Sequence, residues 1–297
     1  MNVRPLTPRD ADRVAAIARA DEETLRGRAS HIQSDEVRTW WTRLDFERDS
    51  WLFEADGRTL AAGWFHVWSD RAHAAGVVAQ GAKGRGLGSQ LADRYEARGH
   101  EEGVERLHTF VLPEDASAVQ LFTGRGYHEV RTFYEMAIEL DGPPSPPVVA
   151  KGLKLDVVRE SDARAFHAAT MEAFADNWDF VGMPFDEWWE FRRGQQADER
   201  GPLWFVVRDG DRIAAVIRNE ARRDSGFVGM LGVRKEWRGL GLGRALLHRT
   251  FDEFWRRGLT RVTLGVDAEN PTGATKLYES VGMIVEGSSV TYEKTFA

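Results

Sequence analysis

The residues best suited to chemistry lie in one short run. Behind an apolar stretch ending at Val233 the chain reads Arg238-Gly239-Leu240-Gly241-Leu242-Gly243-Arg244 and passes directly into a helical pattern. Glycines there let an anion approach backbone N–H groups, and a helix N-terminus adds a favourable dipole. Arg238 and Arg244 bring positive charge to the same place. A pyrophosphate is the natural ligand. The spacing is not the Gly-x4-Gly-Lys-Ser/Thr of a nucleotide triphosphatase. Nor is it Gly-x-Gly-x-x-Gly followed by an acid at the next strand end, as dinucleotide binding requires. Behind Val78, Lys83-Gly84-Arg85-Gly86-Leu87-Gly88 repeats the run.

Cysteine is absent, which removes thiolate nucleophiles, disulfides and Cys-ligated metal at one stroke. The 8 histidines follow no metal-binding spacing, so no metal is expected, and His66, His73 and His108 read as core or surface residues.

The elements that must hold these residues occur twice. Asp141-Gly142-Pro143-Pro144-Ser145-Pro146-Pro147 can enter neither helix nor central strand, so 141–150 reads as a linker between a domain at 1–140 and another at 151–297. Asp10 answers Asp162 at the helix starts, and the hairpin turn Asp56-Gly57 answers Asp209-Gly210. The two glycine runs follow in the same order, and QLFTGRGY then aligns with KLYESVGM, setting Phe122 against Tyr278. Four matches in order indicate an internal duplication. In the second half 226–233 reads as a buried strand. A helical face then runs through Leu242, Leu246, Leu247, Phe251 and Phe254 to a stop at Gly258. A strand at 261–268 and a helix at 274–280 complete the reading. The fold class is α/β with a mixed sheet, in two tandem domains.

Val233, Arg238, Gly241 and Gly243, then Asn270 beyond the next strand and Leu277-Tyr278 on the following helix, form an ordered pattern. On it the second half resembles a GCN5-related N-acetyltransferase. The whole chain resembles a tandem pair of acyl-CoA N-acyltransferase domains, similar in architecture to the mycothiol synthases. The resemblance implies that 238–244 hold the pyrophosphate of acetyl-CoA and that pantetheine lies between two splayed strands. It also implies that the backbone of Leu231, Gly232 and Val233 bonds pantetheine and polarises the acetyl carbonyl. Asn270 then takes the pantetheine contact and Tyr278 the role of general acid. A phenol can protonate a departing thiolate, and fixed N–H donors aimed at a tetrahedral oxyanion contribute on the order of 3 kcal/mol each.

The first half keeps Val78, Lys83, Gly84, Gly86 and Gly88 as a second CoA site to be tested. Glu114 replaces Asn270 there and Phe122 replaces Tyr278, so it reads as catalytically silent. In the second half Asp176, Asn177 and Trp178 are candidates to hold a cationic amine against an aromatic face, the alternative being a packing stripe with exposed acids. The strand at 226–233 has no glutamate, which leaves Glu220, Asp176 or a water relay as the base.

With 42% hydrophobic and 29% charged residues in 297, the chain is that of a globular protein. A net charge of -7 argues against nucleic acid or an anionic membrane as partner. No apolar run approaches the roughly 20 residues of a membrane span, and MNVRPLTPRDADRV lacks the apolar core of a signal peptide, so a cytoplasmic protein is expected. The leading reading is acetyl-CoA-dependent acetylation of a small-molecule primary amine by direct transfer in the second half. Its competitors are a CoA-binding sensor or scaffold and a protein N-acetyltransferase. The oligomeric state is open.

Overall fold

The computed structural model describes residues 1–296. Its first half contains β1 (Asn2–Arg4), α1 (Ala11–Arg26), α2 (Ser34–Trp40), α3 (Phe46–Asp49), β2 (Ser50–Ala55), β3 (Arg58–Trp68), β4 (Arg71–Val78), α4 (Leu87–Glu102), β5 (Arg106–Val111), α5 (Ala116–Gly124) and β6 (His128–Glu139). The second half contains β7 (Leu153–Val157), α6 (Ala163–Phe174), α7 (Phe185–Arg192), β8 (Ala197–Asp198), β9 (Gly201–Pro202), β10 (Trp204–Asp209), β11 (Arg212–Ala221), β12 (Gly226–Val233), α8 (Leu242–Arg256), β13 (Arg261–Asp267), α9 (Ala274–Glu279) and β14 (Ile284–Thr295). Apart from α3 in the first half and the short β8–β9 pair in the second, helix and strand follow the same order in each half, and 141–150 contains neither. Among the described residues, no helix is long and apolar enough to cross a membrane.

The two compact units are cut differently from the two halves of the sequence. One comprises Met1–Thr132 with Ser288–Ala297, the other Phe133–Gly287. Each unit takes its last strand from the other half of the chain. In the first unit Val290–Thr295 of β14 lies antiparallel to β5. In the second, Phe133–Glu139 of β6 lies antiparallel to β13. A boundary drawn at the prolines therefore leaves each unit one strand short.

Within the second unit the sheet runs from the β6 segment through β13, β12, β11 and β10 to β7. β12 and β13 are parallel and pair only at Gly226↔Val262 and Phe227↔Thr263 before they part. Between β11 and β12 the register slips, Arg218 facing Met230 and Asn219 facing Val228, so Gly229 is one residue too many on β12. Such a bulge reverses the alternation of side chains that follows it. The glycines show this directly. A Cβ on Gly226 would strike Phe254 of α8, while one on Gly232 would strike Ala173 and Phe174 of α6. The bulge thus gives α6 the face of β12 on which the parting strands open. Leu242, Leu246, Leu247, Phe251 and Phe254 of α8 are buried as their spacing predicts. Gly258, left-handed at φ 75°, ends that run, with Leu259 N–H donating to the Phe254 carbonyl.

The first unit repeats the pattern. Its sheet runs β1-β2-β3-β4-β5 and is closed by the β14 segment. β4 and β5 pair in parallel from Arg71↔Arg106 to Ala74↔Thr109 and then part. Asp56 and Gly57 both take positive φ at the β2–β3 turn, the geometry that suits right-twisted strands. His66, His73 and His108 stand in cross-strand register on β3, β4 and β5. The rings of His73 and His108 meet edge-on at 5.1 Å, and Glu293 lies 2.7 Å from His108 Nε2.

Candidate active site

Where β12 and β13 part, the second unit contains a cleft of about 460 Å³. One wall is β12 from Val228 to Val233, and the other is Gly265, Val266 and Asp267 of β13. The glycine run and the start of α8 line one end, with Ala173, Phe174, Asn177 and Trp178 on the α6 side.

The β12 wall carries unclaimed backbone. Arg234 N–H donates to the Ala214 carbonyl at 3.0 Å, so in this antiparallel ladder the opposed pairs two and four residues back, Gly232↔Val216 and Met230↔Arg218, are the hydrogen-bonded ones. Leu231 and Val233 then direct N–H and C=O away from β11. On that side β13 has already departed, so these groups face the gap. Of the three residues named from the sequence, two offer backbone to the cleft. Gly232 instead serves packing, since a Cβ there would lie 2.8 Å from that of Ala173.

The glycine run is built as anion recognition needs. Gly239 and Gly241 are left-handed, at φ 82° and 73°, which an L side chain resists. Gly241 caps α8, whose first N–H groups have no helical acceptors. Gly243 has a different duty: a Cβ there would lie 2.7 Å from Leu277, so it lets α8 approach α9. Arg238 is fixed by backbone carbonyls alone, Nε donating to Val233 O at 3.1 Å and Nη2 to Ala173 O at 3.4 Å. Arg244 donates to the Ser280 hydroxyl at 3.0 Å. Both line the cleft with Leu242, and among the described residues neither is in ion-pair contact with a carboxylate, though Arg238 contributes to holding the Asp176 carboxyl down; Leu240 is 48% exposed.

Beyond β13, Asn270 Oδ1 accepts from Thr272 N–H at 2.9 Å, which leaves the side-chain NH2 as its donor towards the cleft. Tyr278 on α9 is 6% exposed and also lines the cleft. Burial pushes its phenol up to about 12. Its ring belongs to the core, while its hydroxyl meets no protein partner among the described residues.

The acceptor-side candidates separate. Asn177 and Trp178 line the cleft, with the Trp178 ring 6.1 Å from that of Phe133. Asp176 points elsewhere: it pairs with Lys235 at 2.8 Å, which holds its carboxyl below the usual range. Trp188, from the same aromatic stretch, packs in the core against Phe166. Glu220 is bound to Arg218 and is absent from the described lining of the cleft. The carboxylate that does line it is Asp267, 8% exposed, whose Oδ1 accepts from Glu269 N–H at 2.9 Å. The sequence hid Asp267 as the last residue of an apolar strand.

In the first unit Gly84 and Gly86 repeat the left-handed angles, at φ 74° and 75°, behind β4 and its final Val78. The run leads into α4, where a Cβ on Gly88 would lie 3.2 Å from Leu121. The charge does not repeat. Lys83 Nζ lies 2.7 Å from Asp21 and 2.9 Å from Asp115, so internal carboxylates hold the cation that would meet a phosphate. Glu114 is exposed; Asp115 beside it is the residue engaged.

Comparison with known proteins places this geometry. The acetyltransferase (GNAT) family pattern matches residues 14–127 and again 163–283. Mycothiol acetyltransferase of Thermobifida fusca is 29% identical over 96% of this chain and 90% of its own length. That of Beutenbergia cavernae is 34% identical over 67% and 69%. The crystal structure of a GCN5-related N-acetyltransferase from Sphaerobacter thermophilus matches with a TM-score of 0.85 and 29% identity over 99% of this chain and 95% of that one. A tandem GNAT protein from the clavulanic acid biosynthesis pathway shares the fold, with a TM-score of 0.75 at 16% identity over 99% and 98%. The chain belongs to the acetyltransferase (GNAT) family, enzymes that draw their acetyl group from acetyl-CoA, and it carries that family's pattern twice.

Proposed function

We propose that the second unit catalyses direct transfer of an acetyl group to the primary amine of a small molecule, with both substrates bound at once. The observation that carries this reading is the meeting of three features in one cleft. These are unclaimed backbone on Leu231 and Val233, a carboxylate-free glycine run at a helix N-terminus, and a phenol with no protein partner. Acetyl-CoA supplies a thioester, whose carbonyl carbon the amine nitrogen attacks as the C–S bond breaks. Arg238, Arg244 and the N–H groups of 239–244 hold its pyrophosphate. Asn270 donates to a pantetheine carbonyl. Leu231 and Val233 bond the same arm and offer an N–H to the oxygen that gains charge. Tyr278 donates to the departing sulfur.

Direct transfer agrees with a chain that has no cysteine to carry an acyl group. The curated relatives are named for mycothiol, which supports a small molecule rather than a protein as acceptor. For the proton lost by the amine we assign Asp267, which lines the cleft, directly or through one water, in place of Glu220, which is absent from the described lining.

The test combines calorimetry and kinetics. Acetyl-CoA titrated into the wild type binds, and Gly241→Trp, which forces a bulky residue into the left-handed loop, abolishes binding. With a panel of small primary amines, initial rates of CoA release against both substrates give intersecting lines. Parallel lines would refute direct transfer, and unchanged binding by Gly241→Trp would refute the site.

A further inference from the structure

The two strands that part around the cleft carry four glycines, three on β12 and one on β13. On β12 the protein itself uses the missing side chains. A Cβ on Gly226 would lie 2.3 Å from Phe254, one on Gly229 2.7 Å from Arg218, and one on Gly232 2.8 Å from Ala173. Gly265 of β13 is different. Chain neighbours aside, a Cβ there would meet nothing within 4 Å, and its φ is not left-handed. Neither packing nor backbone conformation therefore asks for glycine at this position. It stands in mid-strand, exposed, in the wall of the cleft. A glycine inside a strand forfeits order and contact area, and close approach of a ligand is one reason to keep it.

The open space lies on the acceptor side. Val262, Leu264 and Val266 of β13 are buried in the core with Leu246 and Phe254 of α8, so Gly265 and Asp267 face the other way, as α6 does. Phe133 of β6 stands directly opposite Asp267, and opposed residues share a face. Glu135, opposite Gly265 itself, is absent from the described lining of the cleft. Phe133 lines it, and its ring lies 6.1 Å from that of Trp178 with the planes inclined at 58°, so the two form an angle rather than a stack. The turn after α6 delivers Trp178: Asn177 N–H donates to the Phe174 carbonyl at 2.9 Å, and Asp179 is left-handed at φ 58°. On this side the polar side chains of the lining are Asn177 and Asp267, set among Phe133, Phe174, Trp178 and Met230.

We infer that Gly265 is the floor of the acceptor site and sets its specificity, the substrate being an amine on a flat apolar ring that lies on this bare backbone with its edge against Phe133 and Trp178. This rests on the reading of the cleft as an acetyl-transfer site. A ring needs the width that Gly265 leaves open, whereas a straight-chain amine leaves it unfilled. A body rich in hydroxyls would bury most of them against apolar side chains without partners, which is unfavourable. The CoA arm does not claim the space. On the same reading it bonds the edge of β12 in the plane of the sheet, and its pyrophosphate sits at the start of α8, on the opposite face.

The test uses phenethylamine, butylamine and glucosamine as probes. Each is titrated by calorimetry into the full-length protein saturated with CoA, and each is then offered with acetyl-CoA while release of CoA is followed. The wild type binds phenethylamine most tightly of the three. Gly265→Leu, whose side chain enters open space, weakens that binding at least about tenfold, as loss of a ring's place in an apolar pocket requires, and leaves butylamine and CoA affinity unchanged. Should leucine disturb the strand, Gly265→Ala makes the smaller step and weakens phenethylamine selectively. Tighter binding of butylamine or glucosamine by the wild type would overturn the proposal, as would an equal loss for every amine in both variants. Loss of CoA affinity in Gly265→Ala would overturn it too, because the space would then belong to the CoA arm. Release of CoA separates the two readings. Phenethylamine bound in a Gly265-dependent way without any release would refute acetyl transfer and leave the floor standing. Release with glucosamine alone would do the reverse.

Discussion

Removal of one oxygen atom, by Tyr278→Phe, tests the chemistry of the cleft most sharply. The ring is packed in the core and 6% exposed, while the hydroxyl has no protein partner among the described residues, so the substitution leaves no donor or acceptor orphaned. Folding stability should therefore hold within about 0.5 kcal/mol. The catalytic cost follows from the phenol's burial. At about 12 the hydroxyl stays protonated throughout the working range. A thiol resembling that of cysteine ionises near 8.5, so complete proton transfer to the thiolate would be uphill by some 3.5 units, or about 5 kcal/mol. On the proposed reading, Tyr278 would act by hydrogen-bonding the sulfur as it gains charge rather than by surrendering its proton early. Such a bond to a charged acceptor contributes about 1.5–3 kcal/mol, which predicts a fall in kcat of roughly 10- to 150-fold, with acetyl-CoA affinity unchanged. A thiol-reactive dye reads released CoA without background, because the protein has no cysteine. The wild-type rate should rise with pH as the acceptor amine is deprotonated, with no decline assignable to Tyr278 below about pH 10. If Tyr278→Phe retained kcat within twofold at every pH, the assignment of this phenol to the leaving group would fail.

Three further outcomes are expected. Asp267→Asn should lower kcat/KM by roughly 10²-fold or more, with the loss shrinking as pH rises and more of the amine is already neutral; a loss independent of pH would remove Asp267 as the base. Acetyl-CoA should bind once per chain, and Gly86→Trp should leave that stoichiometry intact, since Asp21 and Asp115 already hold Lys83; a second calorimetric site lost in Gly86→Trp would refute this. Burial drives His73 down to about 4, so the folded state takes up its proton later than the unfolded chain, with its ordinary 6.5. The stability this contributes is complete above about pH 6.5 and is lost as pH falls towards 4, by at most about 1.4 kcal/mol per pH unit. Urea melts of His73→Phe should show a shallower loss over that window than the wild type; parallel losses would exclude His73 as the cause.

How much could be read in advance follows from how local each feature is. The β2–β3 turn, the left-handed Gly239 and Gly241, and the buried face of α8 are each written within a few residues, in Asp56-Gly57, in the glycine spacing and in the 3.6-residue period. Gly258 ends its helix for the same reason. The bulge at Gly229 was not legible: GFVGMLGV has glycines on both sides of the slip, and only the register against β11 shows which residue is extra. Glu220 looked available because its neighbour Arg218 is two positions away on the same strand face, a relation that matters only once the strand is formed. The exchange of final strands escaped the duplicated pattern altogether, since each half encodes a complete set of strands and only pairing decides which unit each one completes.

The comparison of the two glycine runs shows where function is decided. Both have the same backbone, with left-handed glycines at matching positions and a long helix that starts directly behind them. Backbone geometry alone would assign a pyrophosphate to each. Lys83 stands between Asp21 and Asp115, so its charge is held by two carboxylates; the hydrogen bonds of Arg238 and Arg244 go to carbonyl and hydroxyl oxygens, and neither is in ion-pair contact with a carboxylate among the described residues. A pyrophosphate entering the first run would have to displace two carboxylates from an ammonium at 2.7 and 2.9 Å and then remain beside them. Like charges that close in a partly buried site oppose binding by several kcal/mol. On this reasoning two aspartates outside the motif would suffice to retire one site while its loop remains intact; Asp115 lies 32 residues from the lysine it binds. Reversal is testable on the same terms: Asp21→Asn with Asp115→Asn should free Lys83 and create a weak second site for CoA, whereas the same pair of substitutions placed on exposed aspartates such as Asp12 and Asp56 should not. If the double variant gained no affinity for CoA, charge would not be what separates the two halves.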